Sequence, residues 1–279
     1  MASVTGAMPT PASARFVTLN VQGLGGGWFE GRADAVADGL AACRPDVICF
    51  QETTVRHADT AEGGKRLYHQ AKVIGDRIGL PHVAFAPYGN PVEVMAADQG
   101  GIAIAARWPF SGVRNRRLPA PSHHPPDARV ALLATVYAPF GELEVATTHL
   151  SWRPEQTDMR LVQMGIVLDE LARAECCKPG ARAALLGDLN ATDDEPCIEL
   201  ADERLVDAWT ALRPGEPGYT WVSSNPHVRG FDAPDRRLDY AFVPRGVDIT
   251  ACELVLERGE PVQPSDHYGL LVELNWPAV

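Results

Sequence analysis

Short apolar segments that each end in a polar residue are the feature that most constrains the fold of this chain. Residues 16–21, 47–53, 143–150 and 183–190 are brief apolar runs, as expected for buried strands. One polar residue at the end of a strand is common, but a series of them indicates a rim where sheet edges deliver side chains to one cleft. The polar residues at or just beyond strand ends are Asn20, Glu52, His149, Asp188, Asn190, Asp239, Asp266 and His267.

Helices are predicted at residues 34–43, 64–79, 154–176 and 195–201. The apolar face of the second helix is expected to consist of Leu67, Ala71, Ile74 and Ile78. Further strands are predicted at residues 82–86, 100–107, 129–138, 238–243, 249–256 and 268–274. Because there is no internal repeat and no linker, residues 16–279 are expected to form a single domain.

The first fifteen residues predict a disordered leader. Residues 1–15 are rich in Ala, Ser, Thr and Pro. They lack the basic start and the apolar centre of a signal peptide, so the segment is expected to be an unstructured terminus.

Two connecting segments carry conspicuous residues. The glycine-rich residues 22–28 lack the spacing of a phosphate-binding loop, so they predict a flexible rim that carries Trp28 and Phe29. Residues 108–128 are long for a loop without internal structure, and such loops are often functional. The basic residues in this second segment are Arg114, Arg116 and Arg117, followed by His123 and His124, which we expect on the surface.

An acid and a histidine stand side by side near the end of the chain, in the sequence Ser265-Asp266-His267. In a regular strand, neighbouring side chains point to opposite faces. At a junction between a loop and a strand, however, both can turn toward one centre. Taken alone, the pair is better explained as a solvated turn with a surface histidine. The other polar residues at strand ends favour a functional site instead, because they supply partners for both Asp266 and His267.

Charge and cysteine content limit the classes of function. A net charge of −11 argues against general electrostatic affinity for nucleic acid, although a nuclease with a locally positive cleft is not excluded. Six cysteines without framework or CxxC spacing predict a reduced, cytoplasmic protein. No apolar run is long enough to cross a bilayer, so we expect no stable membrane anchor.

The strand-end residues favour a hard divalent cation. Carboxylate and amide oxygens without thiolates, and too few histidines for a zinc site, select Mg²⁺ or Mn²⁺. Mg²⁺ usually binds one or two carboxylates and leaves its other positions to water and substrate phosphate. Glu52 and Asp266 suit that role, with Asn20 in support.

The same rim contains the groups needed for attack on phosphorus. A histidine held by a carboxylate keeps a fixed tautomer and is a better base. His267, held by Asp239, is therefore expected to deprotonate a water molecule for in-line attack. His149 and Asn190 would stabilise charge on the phosphoryl oxygens.

Seven short motifs occur in the order in which one known family carries them. They span residues 19–23, 51–53, 101–104 with 107–109, 148–150, 187–190, 237–240 and 265–267. Each is weak evidence by itself, but seven in order are highly specific. Together they resemble the endonuclease/exonuclease/phosphatase superfamily, whose members are similar to pancreatic-type deoxyribonuclease, over about residues 16–274.

The resemblance implies an α/β fold built as a four-layer sandwich, with two mixed β-sheets face to face and helices outside. It also implies metal-dependent hydrolysis of a phosphate ester. By the same resemblance, Glu52 is the principal metal ligand, assisted by Asn20 and Asp266. Asp239 is then expected to pair with His267.

Further roles follow from the same resemblance. Asp188 and Asn190 are expected to position the water, a second metal ion or the phosphate, with Asp188 as a metal ligand. His149 matches the branch of the family in which a histidine contacts the scissile phosphate. Tyr137 resembles the tyrosine that the apurinic-endonuclease branch uses, and is a weaker candidate for the site.

Three kinds of function are compatible with these residues. The first is a hydrolase of a phosphorylated small molecule or lipid head group, favoured by the acidic composition and with the arginines of residues 108–128 as a phosphate-binding rim. The second is a metal-dependent nuclease, in which those arginines would follow a DNA backbone. The third, which is least favoured, is a non-catalytic phosphate-binding protein of the same fold. In each case we expect a monomer.

Overall fold

The computed structural model describes residues 12–23, 30–59, 64–89, 99–121, 127–228, 234–257 and 263–277. The elements within these ranges are β1 (Ala12–Asn20), α1 (Glu30–Cys43), β2 (Val47–Asp59), β3 (Lys65–His69), α2 (Gln70–Arg77), β4 (His82–Pro87), β5 (Gln99–Ala106), β6 (Phe110–Leu118), β7 (Arg129–Ala138), β8 (Gly141–His149), α3 (Thr157–Arg173), β9 (Ala183–Asp188), α4 (Pro196–Arg204), β10 (Val206–Asp207), α5 (Ala208–Leu212), β11 (Asp239–Val243), β12 (Asp248–Val255) and β13 (Gly269–Trp276). In this part of the chain, no helix is both long and apolar enough to span a membrane.

The strands form two mixed sheets. The first has the order β12-β13-β1-β2-β5-β4, with β3 paired to β2, and the second has the order β10-β11-β9-β8-β7-β6. Each sheet has a parallel pair at its centre, β1 with β2 and β8 with β9, while the other pairs are antiparallel. The prediction of two mixed sheets is therefore confirmed.

Three buried clusters show that the sheets are packed as inner layers and the helices as outer layers. The first cluster joins residues of both sheets, such as Phe16 and Leu132, and lies between them. The second packs α3 and α4 against one sheet, and the third packs α1 and α2 against the other. Alternation along β1 explains this division, because Phe16 faces the other sheet while Val17 faces the helices. The four-layer sandwich is confirmed.

The directions of the strands bring the polar residues together at one end of the sandwich, beyond the ends of strands from both sheets. Since β1 and β2 run parallel, Asn20 at the end of β1 lies beside Gln51, the neighbour of Glu52 in β2. β2 continues past the predicted end at residue 53 to Asp59. In the other sheet, His149 is the register partner of Asp188. Asp188 is also the register partner of Asp239, with which β11 begins. Both sheets therefore present their functional residues to the same side of the sandwich.

A buried amide bridges the two sheets beneath that edge. Gln51 donates from Nε2 to Thr147 Oγ1 of the second sheet at 3.0 Å. Its Oε1 accepts from Thr18 Oγ1 of β1 at 3.2 Å. All three residues are buried. A buried polar group that is fully paired also specifies how its neighbours are placed, so Gln51 sets one sheet relative to the other near the site.

The predicted helix over residues 64–79 is wrong in its first part. Lys65–His69 forms β3 and pairs antiparallel with the end of β2, and α2 begins only at Gln70. Leu67 is 58% exposed, whereas Ala71 and Ile74 are buried as expected. The end of β2 offers a strand edge to pair with, and this long-range pairing overrides the local helical spacing.

The expected long loop over residues 108–128 contains a strand. Phe110–Leu118 is β6, which pairs with β7 at the edge of the second sheet and leaves most of its side chains in solvent. Arg114 lies 2.5 Å from Glu144, and Arg117 donates to the backbone oxygens of Tyr88 and Gly89. These arginines are occupied by protein partners. His123, His124, Trp28 and Phe29 lie outside the described residues.

The first strand starts earlier than predicted. Ala12 to Arg15, expected to belong to the leader, are part of β1 and pair with residues 273–276 of β13. Pairing with β13 orders this start, in which the buried Ala12 and Ala14 alternate with Ser13 and Arg15. Residues 1–11 lie outside the described residues.

Candidate active site

Asn20 joins acidic residues from the two sheets. Its Nδ2 donates to Glu52 Oε1 at 3.1 Å and to Asp188 Oδ2 at 2.9 Å. Its Oδ1 accepts from the backbone N–H of Gln22 at 2.9 Å. Because a backbone N–H can only donate, the atom that faces Gln22 is the oxygen, and the nitrogen faces the carboxylates. Asn20 therefore orients two carboxylates by donating hydrogen bonds, and its predicted role as a metal ligand stays a prediction.

A bulge in β2 directs the side chain of Glu52 toward the site. The pairing of β2 with β5 shifts register between Phe50 and Thr53. Glu52 lies within this bulge at φ 55°, a left-handed conformation that is costly for a residue with a side chain. Hydrogen bonds hold it there, since its N–H donates to Tyr88 Oη at 3.2 Å and its carbonyl accepts from Gly23 at 3.0 Å. Strain of this kind clusters at functional sites.

The charges around Glu52 suit a divalent cation. Burial, followed by the negative charge of Asp266, raises the pKa of Glu52 to about 7. The neighbouring Asp188 adds to the repulsion. Carboxylates that repel one another in a partly dry cleft, and that offer oxygen ligands, match the preference of Mg²⁺ or Mn²⁺. The donor set therefore fits the metal that the sequence implies, and Glu52 and Asp266 are the residues predicted to hold it.

His267 and Asp239 form a hydrogen-bonded pair. His267 Nδ1 lies 2.8 Å from Asp239 Oδ2, so Nδ1 carries the hydrogen and Nε2 is directed elsewhere. Nε2 lies 3.8 Å from Asp188 Oδ2. Burial alone would lower the pKa of His267, but the charges of Asp239 and Asp188 raise it well above its ordinary value. The predicted pairing is present in the structure.

His267 and Asp239 also form a cluster of possible metal ligands with Asp188. Asp188, Asp239 and His267 each offer a ligand atom, and these atoms lie within 4.8 Å of one another. In the structure the Asp239 and His267 atoms bond to each other, which is the arrangement of a base and its orienting acid. Asp239 Oδ1 is buried without a hydrogen-bond partner among the described residues.

Tyr88 sets the tautomer of His149 and was missed in the sequence. Its Oη lies 2.7 Å from His149 Nδ1 and accepts from the N–H of Glu52. Since that N–H can only donate, the hydroxyl hydrogen is free to go to Nδ1, which leaves the ring hydrogen on Nε2. Nε2 then faces Asp188 Oδ2 at 3.5 Å. A tyrosine just beyond a strand end follows the same pattern as the other site residues.

His149 is a neutral donor in this setting. It is 4% exposed, and burial lowers its pKa to about 3. A neutral imidazole that carries its hydrogen on Nε2 can donate a hydrogen bond to a phosphoryl oxygen at any pH above that value. This agrees with the predicted contact to phosphate.

Asn190 and Arg129 meet at one backbone oxygen. Asn190 Nδ2 and Arg129 Nε both donate to the carbonyl of Leu150, at 3.1 and 2.9 Å. The N–H of Asn190 also donates to Asp188 Oδ1 at 3.0 Å. Asn190 thereby ties the turn after β9 to the segment that follows β8, and it lies at the rim as predicted.

The turn that carries Asp266 and His267 is held from three sides. Ser265 Oγ donates to the backbone oxygen of Asn20 at 2.5 Å. Asn225 Nδ2 donates to the carbonyl of Ser265 at 3.0 Å. The buried Arg32 donates from Nε and Nη2 to the carbonyl of Pro264, at 3.0 and 2.9 Å. Arg32 and Asn225 are positioning residues without a local sequence signal, because their partners are distant in the chain.

Tyr137 does not belong to this site, which corrects its prediction. It is 63% exposed and pairs with Glu142 at the start of β8, whereas His149 ends that strand. The seven steps along the strand from Glu142 to His149 span roughly 23 Å. Because β7 runs antiparallel to β8, its end reaches the opposite edge of the sheet.

Comparison with known proteins identifies the family. Residues 17–267 match the model of the Endonuclease/Exonuclease/phosphatase family. The chain belongs to this family. The match confirms the family that the seven motifs indicate.

Three similar proteins illustrate the relationship. The chain is 27% identical over 275 residues to "Tyrosyl-DNA phosphodiesterase 2" of Mus musculus, covering 93% of this chain but only 65% of that protein. An endonuclease/exonuclease/phosphatase structure from Beutenbergia cavernae superposes with a TM-score of 0.70 at 23% identity, covering 95% of this chain and 72% of that one. D. rerio TDP2, complexed with single strand DNA product, superposes with a TM-score of 0.68 at 20% identity, covering 95% and 99%.

Proposed function

We propose that this protein is a phosphodiesterase that cleaves a DNA-linked phosphodiester by metal-assisted attack of water. The observation that carries the proposal is the single rim at which Glu52, Asp188, Asp239 and His267 converge from both sheets. The chemistry follows from these groups, and the substrate class follows from the similarity to a tyrosyl-DNA phosphodiesterase along 93% of the chain.

His267 is the group that handles the proton of the attacking water. Asp239 holds its Nδ1 and so directs Nε2 into the cleft, next to Asp188. A base held in one tautomer within reach of a water molecule contributes about 10²- to 10⁴-fold to rate. On the other side of the cleft, His149 donates from Nε2 to a phosphoryl oxygen, and Asn190 keeps the adjacent turn in place.

The metal is Mg²⁺ or Mn²⁺ in this proposal, held by Glu52 and Asp266, with Asp188 close by. When bound, the cation polarises the phosphoryl group and neutralises the charge that develops on it. Asn20 keeps the Glu52 and Asp188 carboxylates in place for this purpose by donating to both.

A hydrolase of a small phosphorylated molecule is the second candidate. The net charge of −11 favours it, because a DNA strand would be repelled by most of the surface. Arg114 and Arg117 support it as well, since both are engaged with protein partners rather than presented to a DNA backbone.

We propose a cytoplasmic monomer as the working form of the protein. All six cysteines are free, and four of them are buried. This distribution agrees with a reducing compartment, where thiols pack as small apolar side chains.

The substrate class is tested with a tyrosyl-oligonucleotide phosphodiester, presented as separate 5′ and 3′ adducts, and with bis-(p-nitrophenyl) phosphate. In the presence of Mg²⁺ or Mn²⁺, we expect release of tyrosine from an adduct, and a loss of at least about 10²-fold in His267→Ala. Cleavage of the small diester alone would select the second candidate. Equal activity of the wild type and His267→Ala would contradict both.

A further inference from the structure

A partly exposed aromatic side chain follows the site residue His149 closely in sequence and takes no part in the proposed chemistry. Trp152 is 39% exposed. It follows His149 by three residues, so its Cα lies within about 11 Å of that of His149. The exposed part of the indole offers an apolar aromatic surface to a ligand.

The backbone around Trp152 is held rigidly. The buried Arg160 donates from Nη1 to the carbonyls on either side of it, those of Ser151 at 3.0 Å and Arg153 at 2.7 Å. Arg160 is in turn paired with Glu195 at 2.8 Å. These contacts fix the backbone from which the indole projects, as expected of a binding residue whose position matters.

A positive charge is stacked on the same indole. The guanidinium carbon of Arg153 lies 4.8 Å from the centre of the Trp152 ring. Arg153 Nε also lies 3.7 Å from Asp127 Oδ1, which keeps it near the ring. An aromatic surface beside a positive charge is the combination by which proteins bind single-stranded nucleic acid, the ring by stacking and the cation through phosphate or the base face.

We propose that Trp152 and Arg153 form a platform that stacks the nucleobase of the nucleotide next to the scissile phosphate. The inference rests on the proposed function and narrows its substrate to a phosphodiester that carries an unpaired base. Stacking uses the face that every base has, so the platform accepts any base. It acts on binding and not on the reaction at phosphorus, because neither residue bonds to Asp188, Asp239 or His267 among the described contacts.

The test compares two chromogenic diesters that share a leaving group. One is thymidine 5′-(p-nitrophenyl phosphate), with its adenosine counterpart, and the other is methyl p-nitrophenyl phosphate, which has no base. In Trp152→Ala we expect KM for both nucleoside esters to rise about tenfold, the size of one lost stacking contact. The kcat of these esters and the kinetics of the methyl ester should not change, and Trp152→Phe should recover most of the loss.

Two controls separate the outcomes. Tyr137→Ala removes another exposed aromatic residue, at the opposite edge of the sheet, and should leave every constant unchanged. If wild type cleaves none of the esters with either metal, the proposed function itself fails. If wild type cleaves them and Trp152→Ala changes the nucleoside and methyl esters equally, or changes neither, the platform is refuted while the proposed function stands.

Discussion

At the scale of single residues, the site depends on hydrogen bonds whose direction can be worked out. The N–H of Gln22 requires the oxygen of Asn20, which leaves the Asn20 nitrogen for Glu52 and Asp188. The N–H of Glu52 likewise requires the oxygen of Tyr88 as its acceptor and leaves the hydroxyl hydrogen available to His149 Nδ1. Each carboxylate and ring in the cleft is thereby assigned one role.

Removing the charge of Glu52 should stabilise the protein when no metal is present. Its pKa of about 7 in the folded state lies above the ordinary value of 4.5, mainly because of burial. The folded state then holds a proton that the unfolded state has lost, so this group costs stability progressively as pH rises from 4.5 through 7. In a metal chelator, Glu52→Gln should unfold at a higher temperature than wild type at pH 8.

The free energy of unfolding that Glu52→Gln adds should be about 1–2 kcal/mol at pH 8, since the partial exposure of the side chain to solvent weakens the effect of its charge. The added stability should disappear near pH 4.5. Thermal melts at both pH values measure it. Gln is the matched substitution, because it keeps the oxygen that accepts from Asn20. A variant that is less stable than wild type at pH 8 without metal would contradict the charge repulsion described here.

Tyr88→Phe should lower kcat more than it shifts the metal requirement, because Glu52 loses one hydrogen bond to Tyr88 but keeps the one that Gly23 donates to its carbonyl. Without the hydroxyl, His149 loses the bond that selects its tautomer, and the hydrogen can move from Nε2 to Nδ1. We expect a loss of about tenfold, the size of one weakened hydrogen bond to the transition state. Steady-state kinetics across a Mg²⁺ series measure both quantities. A shifted metal dependence with normal kcat at saturation would assign Tyr88 to Glu52 instead.

At the scale of elements, the sequence patterns predict most strands that are apolar and miss those that are not. β1, β8 and β9 are apolar runs with polar ends, while the apolar start of β2 leads to Glu52 at an internal bulge, and the rim follows from them. β3 and β6 contain few buried residues, so they have little hydrophobic pattern of their own. Each is ordered by pairing with a neighbouring strand, β3 with β2 and β6 with β7. Tyr137 was misplaced for a related reason, because an apolar pattern shows that a strand exists but not which way it runs.

The boundary between β3 and α2 predicts that two similar substitutions reduce the free energy of unfolding by different amounts. Ile74 lies fully buried in the cluster under α1 and α2, whereas Leu67 of β3 is mostly exposed. Ile74→Ala should reduce the free energy of unfolding by about 2–5 kcal/mol. Leu67→Ala should change it by less than about 0.5 kcal/mol. Urea denaturation compares the two, and equal losses would restore the longer helix predicted from the sequence.

At the scale of the whole molecule, the site exists only when the two sheets are packed face to face. Asn20 and Asp188 are 168 residues apart in sequence, yet their side chains are hydrogen-bonded. Such a contact is not visible in hydrophobic periodicity. The sandwich was expected only from the seven motifs in family order, whereas the residue types at the strand ends predicted the chemistry. Tyr88, Arg32 and Asn225 became apparent once the sheets were in place.

The most direct test of the account is a Mg²⁺ titration of phosphodiesterase activity in wild type, Glu52→Gln and Asp239→Asn. Glu52 is expected to hold the cation, so its substitution should move half-activation to at least about tenfold higher metal concentration. Asp239 orients His267, so its substitution should lower kcat by at least about 10²-fold with half-activation unchanged. Activation of Glu52→Gln at the wild-type metal concentration would contradict the role of Glu52 as metal ligand. A shifted metal dependence in Asp239→Asn, with kcat unchanged, would contradict the role of Asp239 in orienting His267.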